Sequence, residues 1–397
     1  MTTSTDSERL LAETSLGQSI PYNLPCLSGR ELEYVRAAAA SGQIHGDGPF
    51  TKRCHALLER RYACPKALLT HSGTAALEMT ALLCDLVPGD EIILPSFTFS
   101  STANAFALRG AKLVWCDIRG DTQNIDERLI ERLITPRTRA IVPVHYAGVA
   151  CEMDAIMDIA RRHDLYVIED AAQAIEATYK GRLLGGIGDF GCFSFHNTKN
   201  IVAGEGGAIL VNDAALAARA EIIREKGTNR SQFLRGEIDK YTWVDIGSSY
   251  LPSELTAAFL QAQLEDADAI THRRLTVWNL YRQRLAPLED AGMLRLPHIP
   301  DHCRHNAHIF YLMLPTGAVR DGLLDHLNAR GIKAIFHYVP LHSSPQGRRL
   351  SGGPVPHLPV TDATAARLLR LPLYAGLPDD VVGRICGEVE AFLHRAG

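Results

Sequence analysis

Between Lys66 and Asn212 the chain alternates short, nearly unbroken apolar runs with longer segments in which apolar residues recur every three or four positions. The runs KALLT (66–70), DEIILPS (90–96), KLVWCDI (112–118), RAIVPVHY (139–146), LYVIEDA (165–171), GCFSFH (191–196) and GAILVN (207–212) predict buried strands. TAALEMTALLCDL (74–86), ERLIERLI (127–134) and EMDAIMDIARRH (152–163) predict helices between them. Strands that alternate with helices need crossover connections. The expected fold class is therefore α/β, with a large, mainly parallel sheet covered on both faces. In such sheets ligands gather at the carboxyl ends of the strands.

Past Ser253 the texture changes. A long helical pattern runs over 254–288, followed by HIFYLML (308–314), DGLLDHLNARG (321–331), IKAIFHYV (332–339) and a terminal helix ending at AFLHRAG. These predict a linking helix and a small C-terminal α+β domain over 254–397, after a large domain over 21–253. The first residues, 1–20, read as a loosely docked arm.

Composition narrows the function. A chain of 397 residues is long enough for two domains, and 46% hydrophobic with 22% charged residues suits a substantial globular core. Net charge is −4, with 41 basic against 45 acidic side chains and no basic block, which argues against nucleic acid as a partner. No apolar run approaches a membrane span, and the start lacks the order of a signal peptide, so a cytoplasmic protein is expected. The 9 cysteines are scattered and odd in number, as expected of reduced thiols used as small apolar fillers.

Two motifs point elsewhere. Residues 186–191 spell G-x-G-x-x-G, but RLLGG precedes them and a β-like run follows, whereas a dinucleotide site needs a strand before and a helix after. A turn between strands fits better. HCRHNAH (302–308) offers His302, Cys303, His305 and His308, yet the cluster stands alone in a loop, without the convergence a zinc site requires. No metal is expected.

The residues that carry chemistry all follow strands. Ser72, Gly73 and Thr74 open a helix straight after KALLT, where free amides and the helix dipole favour an anion; the same residues also suit an ordinary N-cap. Glu169 and Asp170 end an apolar run, and alternation along a strand sends only one of them to the site. Gln173 follows within reach. Ser194 ends the next run, and Lys199 comes after it, before the glycines of GEGG (204–207). A phosphate cradle, a carboxylate, a hydroxyl and a lysine on one sheet edge meet the needs of pyridoxal 5′-phosphate (PLP). Its phosphate requires an anion site, its ring nitrogen a carboxylate, and its aldehyde an amine.

At this point the chain resembles the DegT-type PLP-dependent nucleotide-sugar aminotransferases, of the aspartate-aminotransferase fold (fold type I). The resemblance is carried by SGTAAL (72–77), PSFTFSSTANA (95–105), PVHYAG (143–148), EDAAQA (169–174), GCFSFHNTKN (191–200), GEGG (204–207) and FHYVPLH (336–342), and it runs from about Ile20 to near the end. The stretch 224–255 looks closest to the dTDP-4-amino-4,6-dideoxygalactose transaminases. The resemblance implies that Lys199 carries the cofactor covalently, that Asp170 pairs with the ring nitrogen, and that Gln173 contacts the ring hydroxyl. It further implies phosphate contacts from Gly73, Thr74, Ala75 and Ser194, and stacking by Phe99. Asn229 would reach the phosphate of a neighbouring subunit, so a homodimer with shared active sites is expected. His337 and Tyr146 would lie on the sugar-nucleotide side. The lysine itself separates this chain from the family's dehydratase branch, which carries histidine there. The implied reaction moves an amino group from L-glutamate to C4 of dTDP-4-keto-6-deoxyglucose. Amination at C3, or of another keto sugar nucleotide, stays open, as does the epimer formed at C4. From other classes, a sensor on the same fold would lack a working lysine, and a nicotinamide-dependent epimerase would need the missing glycine context.

Overall fold

The structure is a computed structural model that describes residues 19–351 and 354–396; the arm read over 1–20 lies outside them up to residue 18. Seven strands form the main sheet: β1 (Lys66–Thr70), β2 (Glu91–Pro95), β3 (Lys112–Cys116), β4 (Thr138–Ile141), β5 (Tyr166–Asp170), β6 (Phe190–Ser194) and β7 (Gly207–Val211). Their order is β1-β7-β6-β5-β4-β2-β3. β7 runs antiparallel to both its neighbours, and the other pairings are parallel.

The apolar runs read as strands because both sheet faces are covered. Side chains alternate between two cores. Leu69, Ile93, Ile141, Val167 and Leu210 face one, while Leu68, Ile92, Val142, Ile168 and Ile209 face the other. Helices α1 (Gly73–Leu83) and α2 (Ser100–Ala107) follow β1 and β2, so both start at the carboxyl edge of the sheet.

The C-terminal part departs from the sequence reading in two places. The helical pattern over 254–288 is two helices, α3 (Glu254–Glu265) and α4 (Ala267–Asp290), joined at Asp266. The apolar run 332–339 pairs as a strand only at Ile335–Phe336, after which the chain turns towards the large sheet. A three-stranded antiparallel sheet, β8 (Phe310–Met313), β10 (Leu368–Leu371) and β9 (Ile335–Phe336) in that order, packs with α4 on a third core. Ile20 belongs to this third core and bridges Ile332. A smaller cluster of Phe97, Ile118, Tyr146, Ala147, Ile309, Tyr311, Met313 and Leu368 joins the small sheet to the loops at the edge of the large one. Seven of the nine cysteines are buried, all are free thiols, and burial raises their pKa, as expected of core fillers.

Candidate active site

The carboxyl edge of the main sheet collects the chemistry. Thr70 of β1 and Ser194 of β6 both register with Gly207, the first residue of the strand between them. A side chain at 207 would strike the Ser72 carbonyl, so the close approach of three backbones there requires glycine. Ser72 caps α1, its hydroxyl accepting from the Ala75 amide at 3.1 Å. The N-cap and anion-site readings of Ser72–Thr74 are thus compatible: the cap uses Ala75, while the amides of Gly73 and Thr74 precede the first helical hydrogen bond. Gly73 lies against β6, where a Cβ would come within 2.9 Å of the Ser194 Cβ. Thr74 Oγ1 bonds Ser101 Oγ at 2.7 Å, tying the first turn of α1 to that of α2. Two positive helix ends therefore meet beside Ser194.

Asp170 and Glu169 part ways as strand alternation requires. Asp170 is buried at the edge; its Oδ2 accepts from Thr102 Oγ1 at 2.7 Å and its Oδ1 from the Ala172 amide at 3.1 Å. Glu169 points to the opposite face and is fully buried. Its carboxylate accepts from the amides of Gly185, Ile187 and Gly188 at 2.7–2.8 Å and from His145 Nε2 at 2.9 Å. The Cys151 amide donates to His145 Nδ1, which leaves the proton on Nε2. The glycine motif at 186–191 is therefore a turn, and its amides wrap a side chain of the protein rather than a dinucleotide.

Lys199 sits in a turn past β6, its amide bonded to the His196 carbonyl. It is half-buried and enters none of the ion pairs among the described residues. Burial holds its amine down at about 8, against the pull of the nearby Asp170 charge and with some help from Arg370. The next residue anchors the turn. Asn200 donates to the Asn306 carbonyl at 2.7 Å, and its Oδ1 meets His308 Nδ1 at 2.9 Å. Asn306 in turn donates to the Gln173 and Ile175 carbonyls at 2.9 and 2.7 Å. HCRHNAH is thus a clasp between the lysine turn and the Gln173 loop. Among the described residues no group of three or more potential ligands could hold a metal. His302 meets Glu152, and the His305 ring packs 4.4 Å from that of Trp278.

Gln173 is fixed at both ends of its carboxamide: Oε1 accepts from the Ala147 amide at 2.8 Å, and Nε2 donates to Tyr338 Oη at 3.0 Å. Tyr146 and His337 meet at 3.0 Å through Oη and Nδ1. Burial first, then the charges of Arg370, His308 and Lys199, holds His337 well below the ordinary histidine value, so it is neutral at physiological pH. Phe97 packs beneath against Tyr146 and Tyr338, whereas Phe99 stands 61% exposed at the start of α2. Asn229 is apart from this group: its Oδ1 accepts from the Thr242 amide at 2.8 Å in a surface loop.

Sequence reasoning missed Thr102, Asn200, Asn306 and Arg370. The first lies inside the quoted PSFTFSSTANA, where a hydroxyl one turn into a helix after a strand was the available signal. The asparagines and the arginine act through contacts distant in sequence and left none.

The donor set fits PLP: two helix N-termini for the phosphate, a cradle at Gly73 that a Cβ would fill, a buried carboxylate oriented by Thr102, and a lysine whose amine is readily neutral. Comparison with known proteins agrees. The family model of the DegT/DnrJ/EryC1/StrS aminotransferases matches residues 25–390. The chain is 35% identical over 373 residues to the GDP-perosamine synthase of Caulobacter vibrioides, covering 93% of this chain and 97% of that protein. Among solved structures it resembles the aminotransferase TlmJ from Streptoalloteichus hindustanus, with a TM-score of 0.88, 30% identity and coverage of 96% and 100% of the two chains. It also resembles the putative sugar aminotransferase Spr1654 from Streptococcus pneumoniae, whose PLP form gives a TM-score of 0.87 at 25% identity over 95% of this chain and 99% of that one, and which is also known in a PMP form. The chain belongs to the DegT/DnrJ/EryC1/StrS aminotransferase family, and is accordingly a PLP-dependent sugar aminotransferase of fold type I.

Proposed function

We propose that the protein transfers the amino group of L-glutamate to C4 of dTDP-4-keto-6-deoxy-D-glucose, giving a dTDP-4-amino-4,6-dideoxyhexose and 2-oxoglutarate. The observation that carries the reading is Lys199, in the turn that follows the strand ending at Ser194, with its amine held down to about 8 within the field of Asp170. Bound there, PLP supplies the electron sink on which an amino group is exchanged. Gly73, Thr74, Ala75 and Ser194 would hold its phosphate, Asp170 would keep its ring nitrogen protonated, Gln173 would contact the ring hydroxyl, and Phe99 would cover a ring face. Lys199 Nζ would hold the cofactor's aldehyde and, once freed by glutamate, would serve as the base that takes the Cα proton and as the acid that supplies a proton at the sugar carbon in the return half. Tyr146 and the neutral His337 line the sugar side. Successive binding of both substrates in one pocket makes each proton transfer effectively intramolecular.

A homodimer belongs to this reading. Leu234, Trp243 and Ile246 are 62%, 73% and 57% exposed on the segment that carries Asn229, an apolar surface suited to a second copy of the chain. Asn229 then reaches the cofactor phosphate of the neighbour. A second reading keeps the chemistry and changes the nucleotide: similarity to a GDP-perosamine synthase supports a GDP-linked keto sugar.

The test is incubation of the holoenzyme with L-glutamate and the dTDP-, GDP- and UDP-linked 4-keto-6-deoxy sugars, with product NMR. The expected product is a dTDP sugar aminated at C4, equimolar with 2-oxoglutarate. Amination at C3, or turnover of the GDP sugar alone, replaces this substrate assignment.

A further inference from the structure

Ser96 and His342 are buried together, Ser96 completely and His342 with 1% of its surface exposed. After β9 the chain leaves the small sheet, brings His337 to Tyr146 and Tyr338 to Gln173, and is caught at its far end by Ser96, the residue that follows β2. Three contacts make the catch. The Leu341 amide donates to the Ser96 carbonyl at 3.0 Å, the His342 amide donates to Ser96 Oγ at 3.0 Å, and Ser96 Oγ lies 2.7 Å from His342 Nδ1. The next residue after Ser96, Phe97, packs against Tyr146, His337 and Tyr338. On the other side of the imidazole, Nε2 faces Asp362 Oδ1 at 3.5 Å. Asp362 belongs to the helix Pro359–Arg367, whose start is pinned by the Asp117 carboxylate through the Val360 and Thr361 amides and the Thr361 hydroxyl.

The bonding fixes the protons of this cluster. Ser96 Oγ already accepts from the His342 amide, so its one hydrogen is available to Nδ1, and the ring proton sits on Nε2, towards Asp362. Serine, histidine and aspartate are also the members of a nucleophilic triad, but a fully buried hydroxyl is closed to a substrate, and its contacts are those of a latch. A second proton on the ring turns Nδ1 from acceptor to donor. Ser96 Oγ then accepts twice, and its own hydrogen is left buried without a partner, which is unfavourable. The charged groups around the ring are Asp362, Asp117 after β3, and Arg348 on the helix Pro345–Ser351. Burial outweighs the two carboxylates and, with Arg348, holds the ring below the ordinary histidine value.

Resting on the sugar-aminotransferase reading, we infer that His342 is a positioning residue for the keto-sugar half of the reaction. In its neutral form it latches the 337–342 loop to the end of β2, and its protonation releases that loop from the sugar side. It acts through His337 and Tyr338, whose places the loop sets. The cofactor side has a support of its own, since Gln173 keeps its bond to the Ala147 amide whether or not the loop is latched.

The experiment follows each half-reaction of the holoenzyme by absorbance, with L-glutamate and with dTDP-4-keto-6-deoxyglucose. It reads the latch itself by hydrogen exchange of the peptide that carries the Leu341 and His342 amides. His342→Phe and Ser96→Ala are expected to raise the half-saturating keto-sugar concentration about tenfold and to speed that exchange by a similar factor at neutral pH, as loss of a buried hydrogen bond implies. The glutamate half-reaction is expected to stay within about threefold, a change too small for a lost bond of that strength. His342→Asn offers Ser96 an amide oxygen near the place of Nδ1 without a titrating ring. It is expected to recover most of the keto-sugar binding and to abolish its loss in acid. In the wild type, the half-saturating keto-sugar concentration and the exchange rate, corrected for the intrinsic effect of pH, are expected to rise together as pH falls from about 7.5 to about 5. That measurement needs no variant to fold. A wild type indifferent to pH, a phenylalanine variant equal to it, an asparagine variant no better than phenylalanine, or equal losses in both half-reactions overturns the assignment. A wild type that aminates no keto sugar strikes the substrate reading instead, and the exchange rates, which need no substrate, then decide the latch.

Discussion

Thr102 donates to Asp170 across 2.7 Å, and a second hydroxyl, that of Thr98, stands 2.9 Å behind it. The buried carboxylate is held by this O–H and by one backbone amide, so its orientation depends on a side chain of the helix that follows β2. A hydrogen bond to a charged acceptor contributes about 1.5–3 kcal/mol, and the same range in a barrier is roughly 10–100-fold in rate. Thr102→Val is expected to lower kcat within that range, while Thr102→Ser stays near the wild type. The absorbance of the lysine-bound cofactor is expected to change its pH dependence in the valine variant alone. Identical pH profiles in all three proteins would leave Thr102 a packing residue.

Lys199 gives a prediction with a sign. Its amine is held at about 8 in the folded chain, against an ordinary 10.5. Between these values the unfolded chain binds the proton that the folded chain has released, so stability rises with pH across that window. Below it, the charged and partly desolvated amine weighs fully against folding. In cofactor-stripped protein, Lys199→Met is expected to unfold at higher denaturant than the wild type at neutral pH, with the gap closing as pH climbs from 8 towards 10.5. Denaturant midpoints at a series of pH values check this, and a gap independent of pH refutes it.

Much of this architecture was legible in the chain because parallel strands covered on both faces must be apolar throughout, and runs such as EIILP and GAILV have no other use at that length. That Glu169 and Asp170 face opposite ways followed from the two-residue period, while the choice of Asp170 for the site came from the resemblance. What could not be read are features that depend on distant partners. Asp266 ends one helix and begins the next without a glycine or proline to mark it, so the two helices looked like one. Asn306 reaches Gln173 and Asn200 only once the small sheet has docked. Arg370 is an unremarkable residue in an apolar run until its neighbours Tyr22 and Tyr311 are in place.

Glu169 shows why the glycines at 185–188 matter to the site without touching a ligand. Three backbone amides and His145 spend their donors on this one carboxylate, and the loop they form lies between β5 and β6, the strands that carry Asp170 and Ser194. Glu169→Ala leaves those donors buried without an acceptor, at a cost of about 3–5 kcal/mol by analogy with broken buried pairs. Urea unfolding of the variant is expected at a clearly lower midpoint with an unchanged slope. A midpoint equal to the wild type would mean that water replaces the carboxylate in the loop.

The shared-site prediction concerns the loop of Asn229. A single bridge pairs Thr228 with Trp243 and sets Asn229 opposite Thr242, so the carboxamide and the most exposed tryptophan rise from the same neighbourhood. If that surface meets a second copy of the chain, Trp243→Glu buries a charge against apolar groups, and sedimentation is expected to show monomers at concentrations where the wild type is dimeric. Cofactor retention is expected to fall with it. Asn229→Ala tests the contact without the interface: the dimer is expected to persist while PLP dissociates several-fold more readily, since one hydrogen bond to a phosphate is lost. The two variants separate the causes. A dimeric Trp243→Glu protein moves the interface elsewhere, and an Asn229→Ala dimer that holds PLP as tightly as the wild type takes Asn229 out of the neighbouring site.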